Sequence, residues 1–279
     1  MARHVLAWAE EDGGAVVENM GFPMTWGLPK GEGLWVPTSR IVQQQLPLLP
    51  EWGGNRTFAM PDRAACRLPA PPAYSTEPES AFMAEAEEVL EIRRGLTDEE
   101  RAIARFWSDD PMLSPTPPGH WISIAAQVLD DEGANVERRV EVLATLSVAL
   151  ADAFIGCWHE KFQYNYIRPV TAIKAQLDPA FEPLLITPPF PEYPSGHSTQ
   201  SGAAAVVLSA MFGEDFAFTD ATHEADGLPA RSYPSFWAAA EEAGVSRLYG
   251  GIHFRSAIEQ GLEQGRCVGA FAAALRTRP

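Results

Sequence analysis

The 279-residue chain is 46% apolar and 21% charged, the balance of an ordinary globular protein and not of a disordered one. Its formal net charge of -16 excludes a polyanion such as DNA as a partner, because that needs a clustered basic surface; any anion site must be built locally. Cys66, Cys157 and Cys267 are far apart, lack metal-type spacing and read as reduced and packed, while no signal peptide and no run of about 18 apolar residues that would span a membrane is visible.

Residues 1–83 collect prolines, glycines and tryptophans in stretches such as GFPMTWGLPKGEGLWVP and LPAPPAYSTEP, which predicts an irregular segment wrapped on the rest. Residues 84–279 turn helical. AEAEEVLEIRRG predicts one helix and TDEERAIARFW another, opened by Thr97 and Glu100 at capping-box spacing. Beyond the loop SPTPPGHW, Val140, Leu143, Leu146, Leu150 and Phe154 recur at helical intervals and predict a long core helix over residues 136–160. An apolar helix is expected over roughly 198–212, then an irregular loop to about 233, then a helix in SFWAAAEEAG. The last helix carries Gly261, Gly265 and Gly269, a spacing of four that predicts close approach of another helix backbone. No run alternates over a strand length, so the expected class is all-α, a helical bundle behind a long irregular N-terminal segment.

The stretch FPEYPSGHSTQSGAAAVV puts Ser195, Gly196 and His197 at a helix start, where a Ser/His nucleophilic pair, an anion cradle and a plain cap all remain open. Two other clusters bear on the choice: Lys161 with Arg168-Pro169, and Ser246-Arg247 with His253. Singly, each has an ordinary structural explanation. Together they bring two guanidinium groups, an ammonium, a hydroxyl, a bare glycine amide and two imidazoles, the donors of an oxyanion cage. With no Gly-x-Ser-x-Gly elbow and no strand to carry one, Ser195 reads as a donor to an anion. HEAD, residues 223–226, reads as loop in preference to a metal cluster, and His120 reads as a helix cap or a pocket-lining group outside the catalytic set.

These clusters resemble the motifs of the vanadium-dependent haloperoxidases and type 2 phosphatidic acid phosphatases, in the soluble bacterial haloperoxidase-like branch. The resemblance runs from Lys161 to His253, and more weakly from FWSDD, residues 106–110, to the C-terminus. It implies an all-α bundle with vanadate, or phosphate, in one oxyanion site. His253 would be the metal ligand or, in a phosphatase, the nucleophile that forms a phosphohistidine; His197 would be the acid-base residue. Lys161, Arg168 and Arg247 would balance the oxygens, with Ser195 and the Gly196 amide donating to the same group. Asp110 would pair with Arg247, and Trp158 and Phe190 would line the pocket. One departure stands out: Ala257 occupies the position of the family's Asp, four residues after the histidine, so the imidazole needs another partner such as a backbone carbonyl.

The resulting expectation is a vanadate-dependent haloperoxidase oxidising halide with hydrogen peroxide. The alternatives are an acid phosphatase using the same site and a non-catalytic oxyanion-binding relative. Its partners would be small molecules (peroxide, halide or phosphate ester), with neither nucleic acid nor a membrane span. GLWVPT and LLPEWGGNRTF resemble the connector midway along soluble bacterial relatives that carry an earlier helical half, which leaves three expectations open: a shortened relative, a fragment, or a subunit that completes its core by association as a homo-oligomer.

Overall fold

The computed structural model describes residues 2–14, 16–39, 45–109 and 114–276. Its helices are α1 (Ala2–Glu10), α2 (Ala81–Gly95), α3 (Asp98–Phe106), α4 (Pro117–Asp131), α5 (Val136–Tyr164), α6 (Pro169–Gln176), α7 (Gly196–Phe212), α8 (Phe236–Tyr249) and α9 (Arg255–Ala273). Between α7 and α8, β1 (Phe218–Asp220) pairs antiparallel with β2 (Arg231–Tyr233), Phe218 opposite Tyr233. The class is all-α as the periodicity implied. The small sheet lies inside the stretch read as irregular loop, because three residues are too few for alternation to register.

Local chemistry starts several helices. The Thr97 hydroxyl accepts from the Glu100 amide and the Glu100 carboxylate accepts from the Thr97 amide at 2.8 Å, the capping box that the spacing predicted. Asn135, Ser195 and Ser235 cap α5, α7 and α8 by accepting from the amides of Arg138, Ser198 and Ala238.

The centre of the bundle is α5, α7 and α9, with α8 against α7 and α3, and α4 against α5. Nearly every residue of α7 from Ser198 to Ser209 is buried, so this helix is surrounded and needs no polar face. The α9 glycines permit that: a Cβ on Gly265 would lie 2.3 Å from the Thr199 carbonyl oxygen, and one on Gly261 2.7 Å from the Ser198 Cβ. The most apolar 18-residue window of α5 has a mean hydropathy of 1.8 and is 56% buried, which fits a core helix.

Three expectations need correction. Val140 is 61% exposed, because α5 buries the face bearing Val142, Leu146, Ala149, Leu150 and Ala153 and Val140 lies off that face. Cys66 and Cys267 form a disulfide with their Cα atoms 5.8 Å apart, a pairing across 201 residues that spacing along the chain does not reveal. The N-terminal stretch also contains α1, none of whose residues is buried.

The segment before α2 packs on the bundle through backbone groups. The buried Asp152 carboxylate of α5 accepts from the amides of Phe58, Ala59 and Met60 at 2.7–2.8 Å. Trp35 donates its amide to the Asn165 carbonyl at 2.7 Å, and Trp158 donates its indole N–H to the Leu48 carbonyl at 3.2 Å. These bonds carry the segment past the end of α5, where the polar clusters converge.

Candidate active site

Four parts of the chain meet at one place: the end of α5, the Arg168 cap of α6, the 190–197 loop leading into α7, and the turn from α8 to α9. Ser195 caps α7, its hydroxyl accepting from the Ser198 amide at 3.3 Å, which is a helix-starting role and no sign of a nucleophile. The cap leaves Gly196 and His197 in the first turn, where unpaired amides and the positive dipole end attract an anion.

His253 is held at both ring nitrogens. Its Nε2 lies 3.1 Å from Arg168 Nη1; since a guanidinium can only donate, Nε2 carries the lone pair and Nδ1 the proton. Nδ1 donates to Glu192 Oε1 at 2.8 Å, and the same oxygen accepts from the Phe254 amide at 2.9 Å. The partner missing at Ala257 is therefore supplied by a carboxylate 61 residues earlier in the chain, and not by a backbone carbonyl. Ala257 is fully buried in the apolar cluster with Phe82, Tyr166 and Phe254, where no carboxylate is accommodated, while its own carbonyl accepts from the Ser195 amide at 2.9 Å.

Charges around the ring favour its neutral form. Burial, followed by the neighbouring Arg168 and Lys161 cations, holds His253 well below the ordinary imidazole range. Burial pushes Glu192 up to about 8 against the pull of those cations, and draws Lys161 down to about 7 and Arg168 to about 10. Lys161 directs its ammonium to the carbonyls of Pro191, Glu192 and Pro194, so it braces the loop that carries Glu192. Arg168 donates to the carbonyls of Phe190 and Ile252 and to His253, and its Nη2 has no partner among the described residues. A buried cationic donor left unpaired costs at least about 1–3 kcal/mol. An oxyanion beside His253 Nε2 would recover that loss, so the residues present fit vanadate or phosphate.

Arg247 donates to its neighbour Ser246 Oγ at 3.0 Å and to carbonyls at the end of α3, among them that of Trp107, so the negative end of that helix steadies the cation. Its expected partner Asp110 lies outside the described residues. The preceding residue, Asp109, is 2% exposed and has a φ of 49°, a left-handed conformation that Asp tolerates better than most. Asp109 Oδ2 lies 3.5 Å from His197 Nε2. Burial and then Arg247 pull His197 down to about 4, outweighing Asp109, so the ring is neutral near pH 7.

Behind Asp109 lies a group that the sequence reading set aside. His120 is neither a cap nor a pocket wall: it is fully buried, with Nδ1 2.9 Å from Asp109 Oδ1 and Nε2 2.7 Å from Asp220 Oδ2. Burial opposes its charge, but the two carboxylates override it and lift it to about 9. His223 of the HEAD sequence joins them, with Nε2 3.4 Å from Asp109 Oδ1 and Nδ1 3.0 Å from Asp226 Oδ2. Asp109, His120 and His223 offer ligand atoms within 4.8 Å of one another, the spacing of a metal site. Both nitrogens of His120 already engage carboxylates at hydrogen-bond distance, so protons close this cluster without an ion.

A cavity of about 1550 Å³ opens over the site. Asp109, Gly196, His197, Arg247 and His253 line its polar end, while Trp8, Phe22, Trp52, Phe154, Trp158 and Phe190 are among its apolar walls. Lys161, Arg168 and Ser195 are fully buried and do not line it. Sequence reasoning passed over Glu192, although it stands three residues before Ser195 in the quoted stretch. It also passed over Asp109, beside the chosen Asp110, and Asp220, and it set aside His120 and His223; these come together only when α4 packs beside β1 and the turn after it.

Residues 141–278 match the family model described as the VCPO second helical-bundle domain. The vanadium chloroperoxidase of Curvularia inaequalis is 29% identical over 129 residues, 37% of this chain and 21% of that protein. A solved bacterial vanadium-dependent iodoperoxidase superposes with a TM-score of 0.89 at 42% identity, over 97% of this chain and 66% of that one. A holo-type bacterial vanadium-dependent chloroperoxidase superposes at 0.77 with 18% identity, over 98% and 70%, a likeness of fold alone. The chain thus spans about a fifth of the curated relative and just under two thirds of the iodoperoxidase. A neutral histidine bonded to a guanidinium whose Nη2 arm has no partner among the described residues, on a bundle of this shape, agrees with those likenesses: residues 141–278 form a helical-bundle domain of the type named in that family model, and the chain is similar in fold and sequence to the bacterial vanadium-dependent iodoperoxidase.

Proposed function

We propose that the protein is a vanadate-dependent haloperoxidase that oxidises halide with hydrogen peroxide at a His253-bound vanadate. The observation that carries this reading is the fixed tautomer of His253, whose Nε2 lone pair faces Arg168 Nη1 while the Nη2 arm of the same guanidinium has no partner among the described residues. Vanadate, when bound, supplies Lewis-acid activation of peroxide toward the halide. The chain's own part is to hold and orient. Arg168, Arg247, the Gly196 amide and the dipole of α7 neutralise the oxygens, Ser195 sets the start of α7, and Lys161 adds its charge while bracing the 191–194 loop. Asp110 is assigned to Arg247, and Trp158 and Phe190 form the wall that restricts water. His197, neutral near pH 7, accepts and returns a proton on the cavity side.

The 42% identical solved relative is named an iodoperoxidase, which makes iodide the first halide to test. Vanadate-loaded protein given peroxide should oxidise iodide, followed as triiodide, or brominate a phenol-type dye when given bromide. His253→Ala should lose vanadate retention in a calorimetric titration, and His197→Ala should retain vanadate but lose turnover by about a hundredfold. Loaded protein inert with every halide, together with vanadate-free protein that hydrolyses an aryl phosphate, would replace this reading with the phosphatase. Vanadate binding with both assays blank would leave the oxyanion-binding relative.

A further inference from the structure

We propose that Asp109, His223 and Asp226 form a proton path joining His197 to solvent, leaving the polar end of the cavity at Asp109 and emerging at Asp226. The inference rests on the haloperoxidase reading for its purpose, though not for its geometry. His197 Nε2 is 3.5 Å from Asp109 Oδ2, Asp109 Oδ1 is 3.4 Å from His223 Nε2, and His223 Nδ1 is 3.0 Å from Asp226 Oδ2. The inner members are interior, Asp109 at 2% and His223 at 3% exposure, whereas the Asp226 side chain is 48% exposed. The chain of groups therefore begins at the acid-base histidine and ends in water. His223 and Asp226 do not line the cavity.

Three atoms along this line, His197 Nε2, Asp109 Oδ2 and His223 Nε2, have no hydrogen-bond partner among the described residues. No described group competes for them, and side-chain shifts of a few tenths of an ångström bring the two longer gaps to hydrogen-bond distance. His120 has a different part. It is bonded on both sides, and its far partner Asp220 is fully buried, so a route through it ends inside the protein. It holds Asp109 in place. Among the described residues, Arg247 of α8 also faces the line; it lowers the affinity of His197 for a proton and so favours its prompt release.

The need for such a path follows from the stoichiometry: hydrogen peroxide, one halide and one proton give one hypohalous acid and one water, so each turnover consumes a proton. His197 stores none near neutral pH, and the cavity above it has largely apolar walls. In the proposed transfer, solvent and Asp226 protonate His223 at Nδ1, and His223 passes its Nε2 proton to Asp109. The carboxyl makes a half-turn, which exchanges equivalent oxygens and restores the His120 bond, and delivers the proton to His197 Nε2. His197 then releases its Nδ1 proton toward the reacting oxygen. Charge returns to its starting distribution after each cycle, while His223 and His197 are each left in the other tautomer; a ring flip or proton exchange with solvent at each ring restores the starting tautomers before the next transfer.

The test uses His223→Gln, whose amide still donates to Asp109 but cannot relay a proton, with Asp226→Asn as a second variant at the exposed end. In the full chain labelled with nitrogen-15 histidine, and without vanadate, exchange of the His197 ring N–H with water should slow about tenfold in His223→Gln. In halide oxidation, kcat should fall by about tenfold, more steeply as pH rises and hydronium becomes scarce, with the KM for peroxide unchanged and the loss restored by added imidazole. Asp226→Asn should shift both readouts the same way and less. Exchange rates and pH profiles superimposable on those of the parent protein would overturn the path. So would a loss of kcat that imidazole does not restore and that accompanies weaker phosphate binding. If the parent protein oxidises no halide, the functional reading fails, and the exchange measurement still decides the path.

Discussion

At His253, the chain achieves with Glu192 what its relatives' pattern assigns to an acid in the next helix turn. The two solutions differ in their neighbours. Ala257 sits in a fully buried apolar cluster, whereas Glu192 lies in a loop braced by Lys161 and shares its oxygen with the Phe254 amide. Glu192→Ala should therefore weaken vanadate or phosphate binding by about 10–100-fold in a calorimetric titration, the usual effect of losing a carboxylate that fixes a ligand histidine. Ala257→Asp should not raise affinity. It should lower the unfolding free energy, measured in urea, by several kcal/mol through burial of an unpaired charge. Improved binding in Ala257→Asp would show that Glu192 does not hold the ring in solution.

The α7–α9 pair sets where the site's anion-attracting helix end stands. With Gly265 against the Thr199 carbonyl and Gly202 against the Leu262 carbonyl, the two backbones touch without side chains between them, and the first turn of α7 cannot drift. Gly265→Ala should destabilise the protein by about 1–3 kcal/mol and also weaken phosphate binding, because relief of the clash moves α7. Gly95→Ala, at the end of α2 with nothing within 4 Å of the added carbon, is the control and should change stability by less than about 1 kcal/mol either way. Thermal melts with and without phosphate separate the two effects. The four-residue glycine spacing announced this contact, although it did not name the partner helix.

Over the whole molecule, the N-terminal segment is fastened to the bundle by the Asp152 carboxylate, by the bridge between Leu34 and Tyr166, and by the disulfide from Cys66 to α9. It supplies walls of the cavity, among them Trp8, Phe22 and Trp52. A Cys66→Ser, Cys267→Ser double variant should lose about 2–4 kcal/mol of unfolding free energy, since the bridge closes a long loop in the unfolded chain. The loss should disappear when parent and variant are compared under full reduction. Equal stability before reduction would mean that the two thiols are not joined in the purified protein.

Periodicity, the Thr97–Glu100 capping box and the absence of alternation were enough for an all-α bundle, because they depend on neighbours three or four residues apart. The Lys161–Arg168, Ser195–His197 and Arg247–His253 clusters were legible for a related reason, as each is a short stretch whose residue types already state its chemistry. The tertiary structure alone decided the rest. It selected Glu192 for His253, joined Cys66 to Cys267, and gathered Asp109, His120, Asp220 and His223 into one buried group. Those pairings span from 11 to 201 residues along the chain. A carboxylate's partner across such separations is chosen by which backbones pack together, and no spacing along the sequence carries that information.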